Sequence, residues 1–253
     1  MSSLRALVAA ALVAALPAPA GAAPGDAVGA LQLAPGQVRI AVVDERSLAS
    51  GTVGAAWSLA LDAVVGVVPG LSVGVSHSAA ALGRMRGGLG LCRDSAAHDC
   101  PRVYDGGFLD VRWQVPGVAR VTGLTRLGLE GLAPTKPVLR LGVIVRGGGG
   151  RLWWAVQPEV GVGLANRGDG NRDTLFVPGW VGLDRGRTSA WIETGLRSPI
   201  DGFVDKYEVR AGLGVAVRWR QWQVGVSAGF PQLLGPQNSG RIRQGALWLA
   251  YQR

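Results

Sequence analysis

The sequence predicts an all-β fold, a single antiparallel up-and-down transmembrane barrel of about 12 strands, with 10 to 14 as the bracket. Three observations carry this expectation. Residue type alternates with a period of two along most of the chain after residue 38. The connections alternate between tight turns and longer polar loops. Eight of the nine tryptophans fall beside the tight turns. A row of tryptophans at one end of many strands is the pattern of an aromatic girdle at a membrane–water interface, whereas a soluble β domain keeps tryptophan mid-core. A soluble β-sandwich is the competing architecture, since it too shows alternating strands and turn signals.

The N-terminus precedes the barrel and reads as an export signal. Arg5 supplies the positive start, Ala6 to Leu16 an apolar run, Pro17 a break, and Ala20-Gly21-Ala22 a small-residue cleavage site. The run is too short to span a bilayer as a helix, which takes about 20 residues. The expected organisation is a cleaved signal peptide over 1–22, a periplasmic segment over 23–37 and the barrel over 38–253.

The strands follow in order. Alternation places them near 38–46, 55–67, 71–78, 106–115, 118–129, 138–146, 151–164, 174–183, 187–197, 206–219, 221–230 and 242–252. From Arg151 to Leu164, Leu152, Trp154, Val156, Val160, Val162 and Leu164 form one face, opposite Trp153, Gln157, Glu159, Gly161 and Gly163. Helical periodicity cannot produce such a run, and its length suits a tilted transmembrane strand of about 9 to 11 residues.

Tight turns are expected at Pro69-Gly70, Pro116-Gly117, Gly147–Gly150, Asp184–Gly186 and Arg220. Longer connections lie at 79–105, 166–173, 198–205 and 231–241. Short ends on the periplasmic side and long loops outside are the asymmetry of outer-membrane barrels, and an even strand count leaves both termini periplasmic. Trp57, Trp113, Trp154, Tyr207, Trp219 and Trp222 are the candidate girdle residues. Trp57 and Tyr207 map to the long-loop end with Phe108, Phe176, Phe203 and Phe230, and the other tryptophans map to the turn end.

On these features the chain resembles the outer-membrane β-barrel proteins of Gram-negative bacteria, across nearly all of the region after the signal. The terminal run Gly245-Ala246-Leu247-Trp248-Leu249-Ala250-Tyr251 is similar to the glycine-plus-aromatic insertion signal of that class. Arg253 stands where the class carries a terminal aromatic. The resemblance implies residence in the bacterial outer membrane, contact with its lipid and lipopolysaccharide, delivery by the outer-membrane insertion machinery, and a monomer. It implies an architecture and does not carry an activity.

The charge is +9, and only Lys136 and Lys206 among the cations are lysines. The arginines are spread one or two per strand, so no basic stripe marks a nucleic-acid surface, and nucleic acid is not an expected partner. Cys92 and Cys100 are the only cysteines. In an oxidising compartment a disulfide closing a small loop is the expectation. A metal pair with His98 would be one ligand short of a closed zinc site. Asp169 to Asp173 offers oxygen ligands in a loop but lacks the spacing of a calcium-binding hand, and Arg167-Gly168-Asp169 reads as a surface turn. No cofactor motif is present in the sequence.

If the apolar face meets lipid, the opposite face lines the lumen. Arg112, Arg120, Arg126, Arg140, Glu159, Glu208, Arg210 and Arg218 are the candidate lumen-lining residues. Charges on the lipid side would cost about 2–4 kcal/mol each at the midplane. Two functions compete: a porin-like passive channel for small polar or anionic solutes, and a closed barrel acting through its outer loops. A hydrolase is the third reading. It would need His77 with Ser76 or Ser78, and no nucleophile–base–orienter set is apparent around that histidine. An enzyme is therefore not the expectation.

Overall fold

The computed structural model describes residues 32–48, 57–78, 91–92, 104–236 and 243–253. The signal sequence, most of the 23–37 segment, Cys100, His98 and the larger part of the 79–105 loop lie outside the described residues, and so does the side chain of Cys92. The expected disulfide and the cleavage site are outside them too.

Fourteen ladder segments are present among the described residues: β1 (Val38–Ser47), β2 (Trp57–Val68), β3 (Leu71–Ser76), β4 (Leu91–Cys92), β5 (Gly107–Gln114), β6 (Val121–Leu132), β7 (Thr135–Gly149), β8 (Leu152–Val156), β9 (Glu159–Gly163), β10 (Thr174–Arg185), β11 (Thr188–Pro199), β12 (Glu208–Trp219), β13 (Trp222–Leu234) and β14 (Gln244–Gln252). Two pairs of segments share a stave. β3 and β4 pair with successive stretches of β2, and β8 and β9 both lie between β7 and β10. That leaves 12 antiparallel staves, and β1 pairs with both β2 and β14, which closes the sheet into a barrel. Closure removes every sheet edge, the condition for a strand structure in lipid.

The strand positions follow the alternation of the sequence, with two differences. The 151–164 run is interrupted at Gln157-Pro158, because proline has no N–H to give to the ladder. Inside/outside alternation nevertheless continues through the break, with Trp153, Ala155, Gln157, Glu159, Gly161 and Gly163 all buried. The strands either side of the β6–β7 connection extend beyond their expected ends at 129 and 138. They run on to Leu132 and from Thr135, so only Ala133-Pro134, joined by a cis peptide, lies between them.

The exterior is aliphatic along every stave. Ile192 is 68% exposed and Leu213 61%, and Leu127, Val181, Leu183, Val226 and Leu247 are also more exposed than covered. In water this would be a large uncompensated apolar surface. Around a closed barrel it is the band that meets hydrocarbon. The charged side chains Asp110, Arg126, Arg140 and Glu159 are instead fully enclosed.

The tryptophans at the turn end divide between the two faces of the barrel. Trp113, Trp154, Trp219 and Trp222 are on the outward face at the turn end, and Trp57 is outward at the loop end, under the Arg46 guanidinium at 5.0 Å. Tyr207 lies at the loop end, stacked on Phe203. Trp153, Trp180, Trp191 and Trp248 point inward, as do Phe108 and Phe176, which are 2% and 4% exposed. Turn-end position alone does not reveal the face, because shifting one residue along a strand moves a side chain from lipid to lumen.

Candidate functional site

The interior is the site, and two kinds of wall build it. From β5 to β9 the wall is ionic. Arg126 is central: its Nη1 donates to Glu159 at 2.9 Å, and its Nε lies 3.3 Å from Asp110 Oδ1. Arg140 donates to Glu130 and also faces Glu159 at 3.9 Å, while Arg112 lies 3.5 Å from Asp110. Gln157 donates to Glu159, and the Arg140 guanidinium sits 5.2 Å above the Phe108 ring. Register explains the assembly. Asp110 lies opposite Arg126, which lies opposite Arg140, so one row across three strands alternates acid, base and base. Glu159 enters one step away from β9. Buried charges of this kind are retained only when each is paired and hydrogen-bonded.

The turn-end interior from β8 round to β14 is built from indoles. Trp153 lies opposite Gly182, Trp191 opposite Gly214 and Trp248 opposite Gly225. A Cβ at any of these glycines would stand 2.0 to 2.4 Å from the ring. Each indole thus lies flat over a strand where no side chain could fit, and hugs the wall instead of crossing the lumen. Trp191 and Trp248 touch at 5.7 Å between centroids, and Ala41, Val43, Ala60, Ala246 and Ala250 continue the apolar surface beside them. The same device recurs outside, with Trp113 over Gly123 and Trp154 over Gly147. Aromatic cover of a strand glycine restores the packing that the glycine gives up.

Between the walls lies a cavity of about 160 Å³. Arg39, Arg112, Arg126 and Arg146 border it against Asp62 and Glu193. A second, smaller space of about 40 Å³ opens towards the loop end among Glu45, Glu193, Arg197, Glu208 and Arg210. There Arg210 donates to Glu193 at 2.6 Å and Gln232 to Glu208 at 2.9 Å. A third, at the turn-end mouth, holds Arg39, Arg218, Arg220 and Arg253. Arg120 sits in the β5–β6 connection, where its carbonyl accepts the Arg146 N–H. Residues 34–37 also fold onto this mouth. Leu33 is buried in the cavity lining, its N–H donating to Ser72 Oγ at 3.2 Å, and Gln32 donates to the Gly70 carbonyl.

His77 does not form a catalytic set. Its Nδ1 is 2.6 Å from the Leu61 carbonyl and must donate to it, so Nε2 accepts from the Tyr104 hydroxyl at 2.7 Å. Burial pushes the Tyr104 phenol up, which keeps that hydroxyl protonated as the donor. Ser76 donates instead to Asp110, and Ser78 to Asp62. In the 166–173 loop, Asp173 is taken by Arg167 at 2.6 Å and by the Gly163 N–H. No group of three or more His, Cys, Asp or Glu side chains with metal-binding geometry occurs among the described residues.

No protein-family model and no curated protein matches the chain. Its fold is similar to that of the KdgM porin in complex with disordered oligogalacturonate, with a TM-score of 0.55 at 10% identity over 84% of this chain and 98% of that one. It is similar also to the NanC porin, with a TM-score of 0.56 at 9% identity over 84% and 99% of the two chains. The fold is that of a porin-like β-barrel. At such identities the likeness is one of architecture, and the lumen described above is this chain's own.

The tryptophan–glycine seats were missed by sequence reasoning. Taken strand by strand, Gly214 and Gly225 read as space-saving or strand-bending residues, and Gly182 draws no reading. The available signal was pairwise. Once the hairpin turns are placed, the register across each turn sets Trp113 against Gly123 and Trp154 against Gly147, whereas the inward seats of Trp153, Trp191 and Trp248 lie between strands joined through the loop end, where loop length hides the register.

Proposed function

We propose that the barrel is a porin-like passive channel for small polar or anionic solutes. The observation that carries this reading is the arginine excess on the surface that a solute would touch. Four guanidinium groups border the main cavity against two carboxylates, and Arg218, Arg220 and Arg253 add three at the turn-end mouth. Fixed charge of one sign in a low-dielectric passage concentrates counter-ions and sets ion preference. Twelve staves lie between the barrels of about 8 that side chains fill and those of 16 to 18 that hold a wide channel. Laying the indoles against the wall preserves the narrow space that remains. The KdgM porin, similar in fold, is known in complex with disordered oligogalacturonate. We further propose a monomer, set in outer-membrane lipid and lipopolysaccharide by the insertion machinery.

Single-channel recording in a planar bilayer tests the reading, on protein that shows the heat-dependent gel shift of a folded barrel. Steady steps with anion preference are expected, and Arg112→Glu or Arg210→Glu lowers that preference. A correctly folded barrel that stays electrically silent overturns the channel and returns attention to the outer loops.

A further inference from the structure

Resting on the channel reading, we propose that the main cavity is a binding site for a planar aromatic carboxylate, which the barrel holds on its way through. The argument starts from the lining. Trp180, Trp191 and Trp248 border the space on one side, and Arg39, Arg112 and Arg146 border it as well. An indole face attracts a flat π-system in offset or tilted contact, and a guanidinium binds a carboxylate through paired N–H donors. One ligand that meets both must carry an anionic group at one end and a flat apolar body at the other.

The rest of the lining separates an aromatic acid from an acidic sugar, which would also stack on tryptophan and pair with arginine. Leu33, Val64 and Ile144, with the alanines beside Trp248, give the indoles an aliphatic surround, and the polar groups Ser76, Ser78 and Gln157 of the same lining already donate to Asp110, Asp62 and Glu159. A sugar ring projects hydroxyls around its whole rim. Those turned to this surround would lose water without gaining a partner, at a cost comparable to an unmade hydrogen bond each. A benzene ring carries no such groups, and its edges fit aliphatic walls. The built cavities of small-molecule sites have this composition, mostly apolar with a few convergent polar groups.

Trp180 allows a clean test. It stands in register between Ala155 and Glu193 rather than over a glycine, so its ring is not a structural seat as those of Trp191 and Trp248 are. Benzoate, cyclohexanecarboxylate and glucuronate are titrated into the purified, folded full chain by calorimetry in detergent. In parallel, each is added to the bilayer while chloride current is read. Benzoate is expected to bind saturably and interrupt the current, and glucuronate to do neither at the same concentration. Trp180→Leu weakens benzoate about fivefold. Arg112→Gln weakens it about tenfold or more. Because Arg112 also braces Asp110, Arg39→Gln serves as the second cation variant should the first fail to fold. Equal or tighter binding of glucuronate, or benzoate binding untouched by Trp180→Leu, overturns the proposal. Chloride steps that benzoate leaves unchanged, with no calorimetric binding, overturn it while leaving the channel standing. A silent bilayer with benzoate bound in the calorimeter removes the channel and keeps the site.

Discussion

The ionic wall of β5–β9 and the indole wall that runs from β8 to β14 enclose the same space by opposite means. In the first, long charged side chains reach inward and are fixed by one another. Arg126, Arg140, Asp110 and Glu159 are each almost completely covered, and each depends on a partner from another strand. In the second, large rings are turned aside onto glycines and leave the centre clear. An ionic wall concentrates its energy in a few mutually dependent groups. An indole wall distributes it over ring-to-backbone contact. The two should therefore fail differently when one residue is removed.

The largest effect is expected on the ionic wall. Glu159→Ala leaves Arg126 and Arg140 without their common carboxylate in a water-poor setting. Removing one partner of a buried pair costs about 3–5 kcal/mol. Urea unfolding followed by the heat-dependent gel shift should register a destabilisation of that order. A loss below about 1 kcal/mol, the worth of an exposed pair, would show that water reaches this network freely and that the wall is not a buried one.

The next effect is on the indole wall. Trp191→Ala removes a ring that is 6% exposed and uncovers Gly214. Truncating a buried tryptophan costs about 3 kcal/mol at the low end of the usual range, and the low end applies because the ring already borders a cavity. Trp113→Ala, over Gly123 but on the lipid side, should cost less, about 1 kcal/mol, since its ring is only part-covered. The converse substitution is sharper. Gly214→Val would put a side chain into the Trp191 ring, where even a Cβ stands 2.2 Å from it, and drive the indole into the lumen. Chloride conductance should fall while the barrel still shows its gel shift. Unchanged conductance would mean that the indoles do not bound the pathway.

How much of this comparison could be read in advance differs between the walls. The ionic wall was visible as positions: Arg112, Arg126, Arg140 and Glu159 fall on the polar side of an alternation that any one strand displays. Their partners were not visible, because Asp110 meets Arg126 through the β5–β6 register and Glu159 arrives from a strand 33 residues away. Of the indole wall, only the facing of single rings was visible, not the glycine that each one covers. Trp153 and Trp154 are adjacent and both follow a glycine run, yet alternation sends one inward and the other to lipid. Barrel, strand spacing and turn asymmetry are properties of single strands and hairpins, which is why they survive without a structure. The seats of the tryptophans belong to pairs of strands, and the cavity to all twelve staves.

A last prediction separates charge from burial by moving the ionic pair out of the wall. Arg167 and Asp173 meet in the outer loop at 2.6 Å, much as Arg126 meets Glu159, but with side chains 53% and 30% exposed. The hydrogen bond from Arg167 holds the Asp173 carboxyl below its usual value, helped by the Gly163 N–H and opposed by desolvation. A carboxyl depressed in the folded state stabilises the loop above its unfolded value, about 3.9. That contribution is lost as the pH falls from there through the depressed folded value. Amide exchange at Gly163 should therefore quicken only below about pH 4, while the barrel itself stays folded. Arg167→Gln should move the onset up towards the ordinary carboxyl range without changing the unfolding midpoint. If the whole barrel loosened with this one loop pair, the exposed ions would be as consequential as the enclosed ones, and burial would not be what gives the β5–β9 wall its strength.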